Sequence, residues 1–178
     1  YSASKIGADK LAESFYCAYN LPVVTVRPFN TFGPRQSARA VIPTIITQAL
    51  SQSTIKLGNL DTTRDFTYVS DTVNGFIRAA LSDDVLGKTY NLGTGQEIKI
   101  GMLAQKIINK IGNHVEIKTE SERMRPGNSE VFRLISDNSK ALGALDWRPE
   151  IDLDKGLDLT IGWIKDNLNL YKIGKYEF

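Results

Sequence analysis

Tyr1-Ser2-Ala3-Ser4-Lys5, an amphipathic stretch, and then Val23-Val24-Thr25-Val26-Arg27-Pro28-Phe29-Asn30-Thr31-Phe32-Gly33-Pro34-Arg35 form the run that decides the fold. Over residues 4–19, Ile6, Ala8, Leu11, Ala12, Phe15 and Tyr19 recur at helical spacing. Ser2 or Ser4 is placed to cap this helix, and Asn20-Leu21-Pro22 stops it. Val23 to Val26 is a short β-branched run without polar alternation, the signature of a buried parallel strand. Pro28, Asn30, Gly33 and Pro34 then mark a loop.

The same helix-strand alternation continues outward. Residues 41–51 read as a helix with Pro43 in its first turn, where proline is tolerated. Ile55 to Leu57 and Phe66 to Val69 read as strands. Asp71 is expected to cap a helix over 72–82 that turns Val73, Phe76, Ile77 and Ala80 inward. Thr89 to Leu92 is a strand ended by Gly93-Thr94-Gly95, Ile100 to Ile111 an amphipathic helix, and Val115 to Lys118 a strand. Residues 120–130 form a polar loop. A short helix follows Asp137 over 137–144, a longer one spans Leu153 to Leu168, and the tail 169–178 is aromatic and polar. Strands alternating with helices throughout predict an α/β fold.

Composition narrows the function classes. The 178 residues suffice for one domain with a hydrophobic core, and a net charge of +2 gives no footprint for nucleic acid or a membrane surface. No apolar run approaches the roughly 20 residues that span a bilayer. The single Cys17 cannot form an internal disulfide, which predicts a reducing, cytoplasmic setting. Its place in the first helix suggests packing rather than chemistry. The chain opens on Tyr1 inside a helical pattern, so it is expected to be a fragment of a longer protein.

Tyr1 and Lys5 are the first candidates for chemistry. Four residues apart, they share a helix face. Tyrosine is ordinarily a poor base at neutral pH, but a cationic neighbour favours its phenolate. Such a phenol can take a proton from a sugar hydroxyl while hydride leaves the same carbon. Gly93-Thr94-Gly95 lacks the third glycine and the strand-turn-helix of a dinucleotide fingerprint. His114, the only histidine, has no partner for nucleophilic or metal chemistry in the sequence, and no metal site is expected.

Tyr-Ser-Ala-Ser-Lys, the run Arg27 to Arg35, Thr63-Arg64-Asp65-Phe66-Thr67-Tyr68-Val69-Ser70-Asp71 and Arg125-Pro126-Gly127 together resemble the extended short-chain dehydrogenase/reductase family. That family includes nucleotide-sugar epimerases and 4,6-dehydratases. The resemblance covers nearly the whole chain. It implies the C-terminal part of a Rossmann-like protein with a small α/β substrate-binding subdomain. Residues 1–34 and 65–95 would be a remnant of the NAD-binding domain. Residues 35–64 and 96–178 would bind the nucleotide sugar, and the N-terminal Rossmann half, with its glycine-rich loop, would be absent.

The resemblance also assigns roles. Tyr1 is the catalytic base and acid, and Lys5 supports its phenolate and binds the nicotinamide ribose. Pro28 lies beside the nicotinamide. Asn30 contacts the sugar or diphosphate. Arg64 and Arg125 grip the diphosphate, as guanidinium forks suit phosphate oxygens. Arg35 and Arg39 lie near the same loop and either help bind phosphate or sit in solvent. Val41 begins a helix lining the nucleotide pocket, and Gly58 and Asn59 sit near the nucleoside. Asp65 orients backbone or Arg64. Many relatives have Asp where this chain has Asn128, which loses a charge but keeps an acceptor.

Arg35 to Thr44, Ser129 to Leu134 and Asp137 to Lys140 look most like 4,6-dehydratases acting on nucleotide-linked N-acetylglucosamine, as in legionaminic acid synthesis. Such an enzyme oxidises C4 with NAD, eliminates water across C5–C6, and returns the hydride to C6. Alternatives are a 4-epimerase and a non-catalytic nucleotide-sugar-binding module. Family members are usually homodimers through a helix pair that includes the tyrosine helix. Here residues 4–19 would supply the dimer face, although the same stripe also fits ordinary core.

Overall fold

A computed structural model describes residues 1–124 and 126–172. Helix α1 (Ser2–Tyr19) ends where Asn20 turns into the left-handed region. Tyr1, not a serine, stands at the cap position, and the Ser4 hydroxyl donates back to the Tyr1 carbonyl at 2.7 Å. None of the α1 residues is buried. Ile6, Leu11 and Tyr19 are 64%, 62% and 73% exposed, and Cys17 is exposed rather than packed.

Strand β1 (Thr25–Pro28) starts two residues after the start of the valine run. It is not fully buried, because Arg27 and Pro28 are exposed. It pairs in parallel with β6 (Thr89–Leu92). β2 (Asn30–Phe32) occupies what the sequence marks as loop and pairs in parallel with β5 (Phe66–Tyr68). Its three residues sit among Pro28, Gly33 and Pro34, so turn chemistry hides it. Helix α2 (Val41–Ser51) leads into β3 (Thr54–Leu57), which pairs in parallel with β8 (Glu116–Thr119). The two-residue β4 (Thr63–Arg64) runs between an antiparallel β7 (Ile98–Lys99) and a parallel β9 (Arg133–Leu134).

Helix α3 (Val69–Leu81) departs most from the sequence expectation. Tyr68, not Asp71, stands at its cap. Asp71 lies in the first turn, and its carboxylate accepts the Ile151 N–H at 3.0 Å. Its carbonyl accepts the indole N–H of fully buried Trp147 at 2.8 Å. Thr72, Gly75 and Ala79 face inward, while Val73, Phe76 and Ile77 are 51%, 46% and 53% exposed and Ala80 is exposed too. The expected inward face is reversed for a steric reason. Leu92 of β6 packs directly on the Gly75 backbone, where any Cβ would collide with it.

Helix α4 (Ile100–Ile111) ends at Gly112 with φ 81°. Helix α5 (Ser139–Ala144) follows Asp137, whose carboxylate accepts the Ser139 N–H. Helix α6 (Leu153–Asp166) is capped by Asp152, which accepts the Lys155 N–H at 2.8 Å. It stops before Leu168, which opens a 3₁₀ turn, Leu168–Leu170.

Two cores result. The larger joins α2, α4 and α6 to β2, β3 and β5 around Phe32, Ile45, Ile55, Leu103, Leu157 and Ile164. Gly156 lets α6 lie on Phe32, since a Cβ there would stand 2.6 Å from the ring. The smaller core joins β1, β6, α3 and α5 around Tyr90, Leu92 and Trp147. Among the described residues no helix is long and apolar enough to cross a membrane, and no cluster of His, Cys, Asp or Glu could hold a metal ion. His114 is exposed.

Candidate functional site

The site is organised from Asp65, which is fully buried between β4 and β5. Its carboxylate accepts four hydrogen bonds. Three come from the Thr94 N–H at 2.9 Å, the Thr94 hydroxyl at 2.6 Å and the Gly95 N–H at 2.9 Å, and the fourth from the Ser136 N–H at 3.1 Å. The Gly93-Thr94-Gly95 turn thus donates to the side chain of Asp65. Asp65 orients backbone, one of the two roles read from the sequence. Its own carbonyl accepts from the Asn30 amide at 3.3 Å, and its N–H donates to Leu134 at 3.0 Å. One buried carboxylate therefore fixes Asn30 on one side and the strand carrying Arg64 on the other.

Asn30 and Arg64 meet in a cavity of about 510 Å³ that Val41 and Gly58 also line. Five residues that the sequence places near a substrate converge here: these four and Asn59. α2 begins at the rim with Ala40 at its cap position and no side-chain cap. Uncapped helix N-termini favour anions. Arg39 and Arg123 add cationic side chains, and Asn59 and Thr62 add polar ones. Arg64 donates to the Thr63 carbonyl at 2.7 Å and lies 3.5 Å from the Glu130 carboxylate. The arrangement suits a compact, multiply charged anion linked to a larger polar body.

Other expected residues lie elsewhere. Arg35 does not join this cavity. With φ 67°, its backbone is in the left-handed region, and it lines a neighbouring cavity of about 600 Å³ with Trp163 and Tyr171. That cavity is larger but holds no other predicted site residue, so the convergence elsewhere carries more weight. Tyr1 and Lys5 do not line the 510 Å³ cavity either. Tyr1 at the cap and Lys5 in the first turn of α1 lie side by side, the ammonium 5.5 Å from the ring centroid, with Tyr1 93% exposed. Pro28 ends β1, two residues before Asn30. Arg125 lies outside the described residues.

Arg123 and Glu130 are the participants that sequence reasoning missed. Nothing local marks them, because both belong to the polar stretch 120–130. The signal is the β3–β8 pairing, which carries that stretch across the mouth of Gly58. A Cβ on Gly58 would run into the Arg123 carbonyl. Gly58→Ala is therefore expected to displace the Arg123 segment and weaken ligand binding about tenfold, with a stability loss of about 1–3 kcal/mol. Titration calorimetry and urea melts would read the two effects.

Arg123 is held by Glu120 at 2.8 Å, and Glu120 also accepts from Lys56 at 2.9 Å. Arg123 first, and Lys56 second, hold the Glu120 carboxyl below its usual range. A lowered carboxylate stabilises the fold above its ordinary value near pH ~4.3 and loses that contribution as pH falls through the lowered one. Between about pH 5 and 3 the urea midpoint of the native chain should fall further than that of Glu120→Gln. Parallel curves would contradict this tie.

The sequence signature of the family described as GDP-mannose 4,6 dehydratase matches residues 1–160. Human dTDP-D-glucose 4,6-dehydratase is 32% identical over 183 residues, which cover 97% of this chain and 50% of that protein. A UDP-glucuronate 4-epimerase from Thermodesulfobacterium geofontis is 33% identical over 97% of this chain and 52% of its own length. The solved dTDP-glucose 4,6-dehydratase of Bacillus anthracis, in complex with NAD, superposes with a TM-score of 0.84 at 29% identity, over 97% of this chain and 54% of that one. The chain thus spans about half the length of the curated relatives it matches.

Proposed function

The chain belongs to the GDP-mannose 4,6 dehydratase family, within the extended short-chain dehydrogenases/reductases, and from that premise we propose that it is the substrate-gripping part of an NAD-dependent nucleotide-sugar 4,6-dehydratase. The observation that carries this is the convergence of Asn30, Val41, Gly58 and Arg64, with Arg39 and Arg123, on one cavity. The substrate proposed is a nucleotide-linked N-acetylglucosamine, and the product a 4-keto-6-deoxy sugar. The segments Arg35 to Thr44 and Ser129 to Leu134 support that choice.

In this proposal Arg64 and Arg125 hold the diphosphate, while Asn30 orients the sugar toward Tyr1. Tyr1 as its phenolate takes the C4 hydroxyl proton, and Lys5 keeps a cation beside it. When bound, NAD would supply the acceptor for the C4 hydride and its return to C6 once water has been lost across C5–C6. The residues present fit one edge of an NAD site. Tyr1 and Lys5 are exposed side by side, and Pro28 ends β1 at its carboxyl end, where open α/β sheets bind ligands. The glycine-rich cradle for the pyrophosphate is not among them. We therefore propose that residues 1–34 and 65–95 complete a Rossmann domain whose other half lies outside this chain. The exposed apolar rows of α1 and α3 support that arrangement, one covering the missing half and the α1 row forming a homodimer contact. A cytoplasmic location belongs to the same proposal.

The chain alone should neither turn over nor bind NAD tightly. Micromolar NAD affinity by calorimetry would contradict this. The runner-up is a 4-epimerase, favoured by the epimerase among its relatives. NMR of products from the protein carrying both halves decides: a 4-keto-6-deoxy sugar supports dehydration, and a C4 epimer excludes it.

A further inference from the structure

Glu130 is the only carboxylate lining the 510 Å³ cavity among the described residues, and it sits among Arg39, Arg64 and Arg123. Its side chain is 10% exposed, and that of Arg64 is 16% exposed. Among the described residues its carboxylate meets Arg64, at 3.5 Å. That is long for a charge-assisted hydrogen bond, so the pair is poorly built as a stabilising element. A sheltered carboxylate with such a loose partner costs desolvation. It also lowers the positive potential in a cavity that suits anions. Both costs need a reason, and charge discrimination supplies one.

We propose that Glu130 is a specificity residue that selects sugar-linked diphosphates over free nucleoside diphosphates. The inference rests on the nucleotide-sugar assignment of this cavity and deepens it. The two ligand types share a nucleoside and two phosphates. They differ at the terminal phosphate, which is esterified in one and free in the other. A free terminal phosphate has a second ionisation near pH ~6, so at neutral pH it carries close to one further negative charge. The arginines attract both ligands. The fixed carboxylate opposes that further charge at close range, where the dielectric is low. The released nucleotide, or a free nucleoside diphosphate in solution, would then compete less well for the site.

The test is titration calorimetry on the 178-residue chain with UDP-N-acetylglucosamine and UDP as a matched pair, at about pH 7.5 and low salt. The native chain should prefer the sugar-linked ligand. In Glu130→Gln that preference should fall about tenfold, chiefly through tighter UDP binding. Glu130→Asp, which keeps the charge, should stay within about threefold of the native ratio. Lowering the pH to about 5.5 protonates much of the UDP terminal phosphate, so the native preference should narrow several-fold without any substitution. An unchanged ratio in Glu130→Gln overturns the inference, as does an equal loss of both ligands, which would make Glu130 a contact to their shared part. A native preference that is flat with pH overturns it as well. If the native chain binds neither member of this pair nor of the matching dTDP and GDP pairs, the nucleotide-sugar assignment itself fails, an outcome distinct from all of these.

Discussion

Replacing Asp65 with alanine should cost about 3–5 kcal/mol of stability, the largest loss expected from any single substitution near the site. The side chain is fully buried and answers four donors. Alanine would leave three backbone N–H groups, of half-buried Thr94, exposed Gly95 and buried Ser136, without their acceptor. Each such orphan costs about 1–3 kcal/mol. Asn would keep the shape, but its amide turns donors toward donors, so it should recover only part of the loss. Glu would not fit, because Gly93 already packs against the carboxylate. Urea melts at neutral pH would measure the effect. A loss under about 1 kcal/mol would mean that the 93–95 turn and Ser136 are held by other contacts.

The second large effect is on binding. Arg64→Ala should weaken nucleotide-sugar affinity about 100-fold, or about 2.7 kcal/mol. The guanidinium is sheltered, lies in the cavity and carries the donor fork that phosphate oxygens match. Arg64→Lys separates charge from geometry. It keeps the cation but loses the fork, and should cost about tenfold. Equal affinities for the native chain and Arg64→Ala would remove Arg64 from the ligand's contacts. Because Glu130 faces the same guanidinium, both variants should be read beside Glu130→Gln, and the two positions are close enough to couple.

Much of this was legible in the sequence, and for physical reasons. Helices α2 and α4 follow hydrophobic periodicity to the residue, since their apolar stripes are wide and their ends are marked. β6 appears where expected, between clear turn signals. Strands of two or three residues, such as β2, β4, β7 and β9, are too short for periodicity to register. They exist because distant segments supply their partners. Periodicity cannot tell which row of α3 packs on the rest of this chain. Gly75 and Ala79 allow close approach to β6, and close packing outweighs the larger side chains opposite.

The site divided along the same line. Asn30, Val41, Gly58 and Arg64, each marked by its local sequence, line one cavity. Arg123 and Glu130 were missed because only the β3–β8 pairing brings their loop over the cavity. Arg35 lies apart from them and is exposed, one of the two placements its sequence leaves open. It follows the same motif as Asn30, but its left-handed backbone belongs to a turn that lines a different cavity. Sequence neighbourhood located the segment without fixing the direction of its side chain.

The central claim is that this cavity holds a nucleotide sugar. Its most direct test is titration of UDP-N-acetylglucosamine into the ¹⁵N-labelled chain, followed by amide and arginine side-chain NMR. Saturable shifts concentrated at Asn30, Val41, Gly58 and Arg64, and absent around Trp163 and Tyr171, are the expected result. Shifts centred on the Trp163 cavity, or none at millimolar UDP-, dTDP- or GDP-linked sugar, would contradict it.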